Sequence, residues 1–198
     1  MELSTHNSVA VLSFDPSAEY PRLTKAALGE LDDLLDEIRG KGAFSSVVIA
    51  ANSTSFATGA EIEEVAAVEG FGAREFAARG QKTLRRIDEF PLPVVAAIRG
   101  YCLGGGLDLA LACHSRVASY DASFAHPGAT LGLVTGWGGT QRLSRLVGRT
   151  AALQMFLTAE RIPATQALTM GLVDELALSV DLISAAANRA EAMSRLPR

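Results

Sequence analysis

Residues Gly100–Ala110 read GYCLGGGLDLA, between an apolar, strand-like run (VVAAIRG) and an apolar, helix-like one. Two chemistries compete for this stretch. In the first, Gly100-Tyr101-Cys102-Leu103-Gly104 is a nucleophile elbow: it has the G-x-nucleophile-x-G form between a strand and a helix, and Cys102 is the attacking thiol. In the second, the three glycines turn the chain sharply and let another molecule approach the main chain. The free amides at the start of the following helix are then the working groups.

The elbow resembles that of dienelactone hydrolases, whose fold places an acid and then a base later in the chain. After Cys102 the histidines are His114 and His126, and an acid before His126 is Asp108 or Asp121. Neither leaves room for the strands that separate such a triad, and a thiol with no base stays protonated at neutral pH. Cys102 reads better as a small buried side chain beside a glycine turn. For the amides, a helix start suits phosphate or a developing oxyanion. The segment has no GxGxxG register and no G-K-[ST] ending, so oxyanion binding remains. A second donor comes from Phe56-Ala57-Thr58-Gly59-Ala60-Glu61-Ile62, which also follows an apolar strand, turns at a glycine and enters a helix.

Outward from these two turns, SVAVLSF (8–14), FSSVVIAA (44–51), VVAAIRG (94–100), SRVAS (115–119) and LVDELA (172–177) read as strands. DPSAEYP and NSTS read as turns. LTKAALGELDDLLDEIRG has helical spacing, with Thr24 near its start and Gly40 at its stop. A short helix follows the 56–62 turn, and further helices are expected over 73–89, from the glycines through Ala112, in GGTQRLSRLVG, TAALQMFLTA and TQALTMG, and over 180–195. Strands alternating with helices predict an α/β fold with a mostly parallel sheet flanked by helices, spanning residues 1–198 as one domain.

Composition agrees. The 198 residues are 48% hydrophobic, enough for a sizeable core, and a net charge of -4 with no basic stripe excludes a nucleic-acid binder. No apolar run approaches the roughly 20 residues that span a bilayer. The start lacks a basic region followed by a long apolar one, and the two cysteines form no CxxC pair, so a reduced, cytoplasmic protein is expected. His6, His114 and His126 show no metal-ligand spacing, and no metal site is predicted.

The two turns together resemble the crotonase, or enoyl-CoA hydratase/isomerase, superfamily. SFATGAEI is similar to that family's F-x-A-G-A-D-I turn, PLPVVAAIRGYCLGGGLDLALAC to its long strand–GGG–helix segment, and GLVTGWGGTQRL to its G-x-x-P-G-x-G-G-T-Q-R-L stretch. The resemblance implies the ClpP/crotonase fold of repeated ββα units, with its C-terminal helical region shortened. It implies an acyl-coenzyme A thioester as substrate, with coenzyme A present only as part of it and no permanently bound cofactor. It assigns the thioester carbonyl to the amides of Ala60 and Gly105, and the nucleotide and pantetheine path to Thr58, Gly59, Glu61 and Ile62. It also implies a homo-trimer or a hexamer built of two trimers, acting on fatty acyl groups.

The acid/base residues depart from the family pattern. Where the hydratases carry glutamates in their G-G-G-x-E and F-G-x-P-E motifs, this chain has Asp108 and Gly128. Dienoyl-CoA isomerases carry an aspartate at the first position, but the later acids of that pattern fall on Gly128 and Gly136. Asp108, one turn into its helix, is the first proton carrier to consider, against a plainer role as a charge complementing the helix dipole. His126, two residues before Gly128, is the second, against a plainer role in loop hydrogen bonding. Trp137 reads as a wall of the acyl pocket. The functions left open are a lyase or isomerase working through a thioester enolate, a decarboxylase of the same type, and a non-catalytic acyl-CoA-binding protein.

Overall fold

The structure, a computed structural model, describes residues 1–15, 17–51, 54–70 and 72–196. Pro16 of the first predicted turn, Asn52 and Ser53 of the second, and the last two residues lie outside the described residues.

The main sheet is built from β1 (Glu2–His6), β2 (Val9–Phe14), β3 (Ser46–Ala51), β4 (Val94–Ile98), β6 (Ser115–Ser119) and β9 (Glu175–Ala177), adjacent in that order. All neighbours run parallel except β1, which pairs antiparallel with β2. A small second sheet joins β5 (Tyr101–Leu103), β7 (Ser123–Ala125) and β8 (Ile162–Pro163). The helices are α1 (Lys25–Lys41), α2 (Ile62–Ala66), α3 (Gly72–Asp88), α4 (Gly105–Ala112), α5 (Gly139–Val147), α6 (Arg149–Thr158), α7 (Ala164–Thr169) and α8 (Leu182–Ser194), with a 3-10 turn at Pro127–Leu131.

The central strands are apolar on both sides because both faces are covered, as parallel sheets require. Val9, Val11, Val48, Ala50, Val95, Ala97 and Val117 alternate onto one face, where Leu182, Ala186 and Ala190 of α8 pack. Ala10, Leu12, Val47, Ile49, Val94 and Ala96 point the other way, into the larger core with α1, α3 and α4. Helix α4 is buried from Gly106 to Ala112, which is why its sequence shows no polar face.

Most predicted elements are present, with differences that have local causes. β1 was not expected: ELSTH is largely polar because it is an exposed edge strand. Helix α1 runs through Gly40 and stops at Gly42, whose left-handed φ of 59° forms the C-cap. Thr24 caps its other end by accepting from the Ala27 amide at 3.0 Å. Strands β5, β7 and β8 are two or three residues long, too short to display a period.

Candidate active site

The site begins with a register. Ala57 bridges Cys102 in parallel, with Ala57 N donating to Tyr101 O at 3.1 Å and Leu103 N to Ala57 O at 2.9 Å. This strap carries residues 58–60 alongside 103–105. The fit excludes a side chain at Gly106, where a β-carbon would lie 2.8 Å from the Ala57 carbonyl carbon, and crowds one at Gly59, 3.2 Å from Leu103 O and 3.3 Å from Gly105 N. Gly59 and Gly104 also take φ of 106° and 52°, which L side chains disfavour.

Ala60 and Gly105 therefore meet. A β-carbon on Gly105 would sit 3.2 Å from Ala60 N. An amide nitrogen lies about 2.5 Å from its own β-carbon, so the two nitrogens are at most about 5.7 Å apart. Two donors that share one oxygen at normal hydrogen-bond length span no more than about 5.8 Å. Neither nitrogen donates a backbone hydrogen bond among the described residues, and the start of α4 has no side-chain cap.

The neighbouring residues of the first turn serve the scaffold. Thr58 donates from both its amide (2.9 Å) and its hydroxyl (3.3 Å) to Pro21 O. Glu61 caps α2 through the Ile62 amide and faces Arg22 at 3.6 Å. Ile62 is half exposed.

Asp108 and His126 are brought together in the interior. Both are buried, and His126 Nε2 stands 3.8 Å from Asp108 Oδ1. Burial pushes the Asp108 carboxyl up to about 6, against the Thr135 hydroxyl, the Trp137 and Gly139 amides and the Arg142 guanidinium, which favour the anion. Thr135 Oγ1 donates to Asp108 Oδ2, while Oδ1 has no hydrogen-bond partner among the described residues. The carboxylate thus lies against the start of α5, and a β-carbon on Gly139 would overlap it, 3.0 Å from Cγ. Burial pushes His126 down to about 4, so the imidazole is neutral at pH 7. Neither of its nitrogens has a hydrogen-bond partner among the described residues, and its ring packs 4.8 Å from Phe156 of α6.

Gly128 is closed as well as empty of an acid. The Leu133 amide donates to Gly128 O at 2.8 Å, and a β-carbon on Gly128 would lie 2.8 Å from Leu133 O. Cys102 is fully buried and its thiol pKa is raised well above normal by that burial, with Cys113 and Asp108 adding to the effect. No group of three His, Cys, Asp or Glu side chains among the described residues is arranged to hold a metal. No described helix is long and apolar enough to cross a membrane. Thr135, Gly139 and Arg142, which tune Asp108, were not singled out from sequence. Their only signal was membership of the GLVTGWGGTQRL stretch, whose fold-back onto α4 is a tertiary fact.

A parallel sheet that delivers two strand-to-helix turns side by side, with a buried acid one helical turn beyond, defines a protein of the crotonase fold. The chain belongs to the enoyl-CoA hydratase/isomerase family, whose profile matches residues 4–198. It is 41% identical over 197 residues to the fatty acid oxidation complex subunit alpha of Shewanella baltica strain OS185, covering 97% of this chain. It spans only 28% of the length of that relative. It is 37% identical over 185 residues to the short-chain-enoyl-CoA hydratase of Clostridium acetobutylicum, covering 93% of this chain and 71% of that one. Among solved structures, it is similar to DspI of Pseudomonas aeruginosa (TM-score 0.92, 31% identity, 99% of this chain and 75% of that). The enoyl-CoA hydratase of Bacillus anthracis is comparably similar (TM-score 0.91, 31% identity, 98% and 76%).

Proposed function

We propose that the chain binds an acyl-CoA thioester with the carbonyl oxygen between the Ala60 and Gly105 amides, and that it forms the thioester enolate there. The observation that carries this reading is the approach of Ala60 N to Gly105 across the 57–102 register. Donors fixed by the main chain are aimed before charge develops, and each contributes about 3 kcal/mol to a transition state that places negative charge on the oxygen. The names of the hydratase relatives support an enoyl thioester as the substrate class.

Asp108 is the proton carrier in this reading. A carboxyl titrating at about 6 is mostly ionised at pH 7, yet basic enough to take an α-proton made acidic by the two amides. His126, neutral and without a hydrogen-bond partner among the described residues, is placed to accept a bond from protonated Asp108. Addition of water needs a base and an acid on one face. Gly128 supplies neither, so an isomerisation, in which Asp108 takes a proton and returns it, or a decarboxylation, in which loss of CO2 leaves the enolate and one acid protonates it, fits these residues better than hydration. The Thr135 and α5 contacts of Asp108 favour a second reading, in which the carboxylate is structural and the chain binds acyl-CoA without turnover.

Solvent exchange separates the two. Butyryl-CoA incubated with the protein in D2O should gain deuterium at the α-carbon faster than the blank, read by mass spectrometry, and Asp108→Asn should remove the gain. Binding without exchange supports the non-catalytic reading. Absence of any binding sinks the acyl-CoA assignment.

A further inference from the structure

Trp137 stands directly beside the two amides. Its indole is buried between two helices, wedged against glycine on both sides. A β-carbon on Gly105 would lie 2.6 Å from its Cζ3 and 2.9 Å from Cε3, and one on Gly80 of α3 would lie 2.5 Å from Cε2. Phe76, also on α3, packs on it with ring centroids 5.4 Å apart. Its main chain is pinned as well: Arg142 Nη1 donates to Trp137 O at 3.2 Å, and Gln81 Nε2 to Gly136 O at 2.7 Å. The indole walls a crevice that it shares with Leu23, Leu28 and Phe76 and, on its charged side, Lys25, Glu64 and Arg79, and that crevice is too narrow to admit a water molecule.

We propose that Trp137 sets the acyl-chain length the site accepts. This inference rests on the acyl-CoA reading above. The indole fills the apolar space next to the carbonyl-binding amides, so a short acyl group stops before the ring and a longer tail meets it. Two features make the block firm. The glycine faces leave the ring no gap to slide into, and interiors packed to this density do not yield continuously. Removing the indole would open space against Phe76, Leu28 and Leu23, and apolar space of that kind takes up apolar ligands. Each methylene buried there is worth about fourfold in affinity.

The test is calorimetric titration of butyryl-CoA and octanoyl-CoA into the parent protein, Trp137→Ala and Trp137→Leu. Trp137 is the single tryptophan of the chain, so its emission gives an independent readout of ligand arriving beside it. The parent should favour butyryl-CoA, with a change in emission on binding. Trp137→Ala should move the butyryl-to-octanoyl affinity ratio at least tenfold toward octanoyl-CoA. Trp137→Leu should move it part of the way, and carries the comparison where alanine does not fold. A ratio unmoved in a folded variant that still binds both thioesters overturns the role of Trp137 alone. No binding of either thioester to any of the three proteins overturns the acyl-CoA reading, and this inference with it.

Discussion

The two halves of the site are built from different material. The 57–60 and 103–106 segments present main chain, held by sheet hydrogen bonds, by a contact so close that only hydrogen fits at Gly106, and by a left-handed φ at Gly59. The 108, 126 and 128 positions present side chains, or the lack of one, on three elements that meet only through tertiary packing. The first half keeps its donors whatever the surrounding side chains become, because an amide is present at every residue but proline. The second half changes with a single substitution. Family membership is legible in the first, and the departures from the family's pattern fall in the second.

Breaking the backbone half should have the largest effect. Gly106→Ala places a β-carbon against the Ala57 carbonyl, where neither partner is a movable side chain. It should cost about 3 kcal/mol in denaturant unfolding and abolish α-deuterium exchange, by separating Ala60 from Gly105.

The side-chain half is sharpened by acid titration. His126 binds its proton at about 4 folded and about 6.5 unfolded, so it loses stability as pH falls through that window, by about 3 kcal/mol. Asp108 is raised from 3.8 to about 6, so the folded state binds the proton more tightly and stability grows by about 3 kcal/mol as pH falls from 6 to 3.8. The two oppose each other in the parent. Asp108→Asn should therefore become steeply acid-labile between pH 6.5 and 4, whereas His126→Gln should gain stability from pH 6 to 4. Parallel slopes in the two variants would refute the pairing.

Gly128→Glu tests whether the missing acid is merely missing. The Leu133 carbonyl blocks its β-carbon, so the variant should lose about 2 kcal/mol and acquire no hydration of crotonyl-CoA, followed by the 2-enoyl absorbance. Appearance of hydratase activity would show that the 128–133 turn opens. The smallest effect is expected at Cys102. Cys102→Ala should cost about 1 kcal/mol and leave α-deuterium exchange unchanged, since a buried, protonated thiol serves packing.

Much of this could be read directly from the chain. Alternation of Val and Ile with turns located the central strands, and the helical spacing after Thr24 located α1. Paired Gly-rich turns at strand ends were legible because local conformation is encoded locally, while Ala60 and Gly105 within them were named by the resemblance of those turns to the family's motifs. β1 and the two- to three-residue strands β5, β7 and β8 were not legible, for want of length or of an apolar face. Asp108 and His126 could be nominated from sequence, but not their 3.8 Å separation, their opposed pKa shifts, or the contact with Thr135 and Gly139, which lie about thirty residues further on.

What the sequence determined by itself is the presence of two glycine-rich strand-to-helix turns, since a turn that needs glycine must be written as glycine. What only tertiary structure decided is the company their amides keep: an indole pressed on one side, and a buried acid and imidazole nearby. Burial and juxtaposition depend on how distant segments pack, and no local pattern records them.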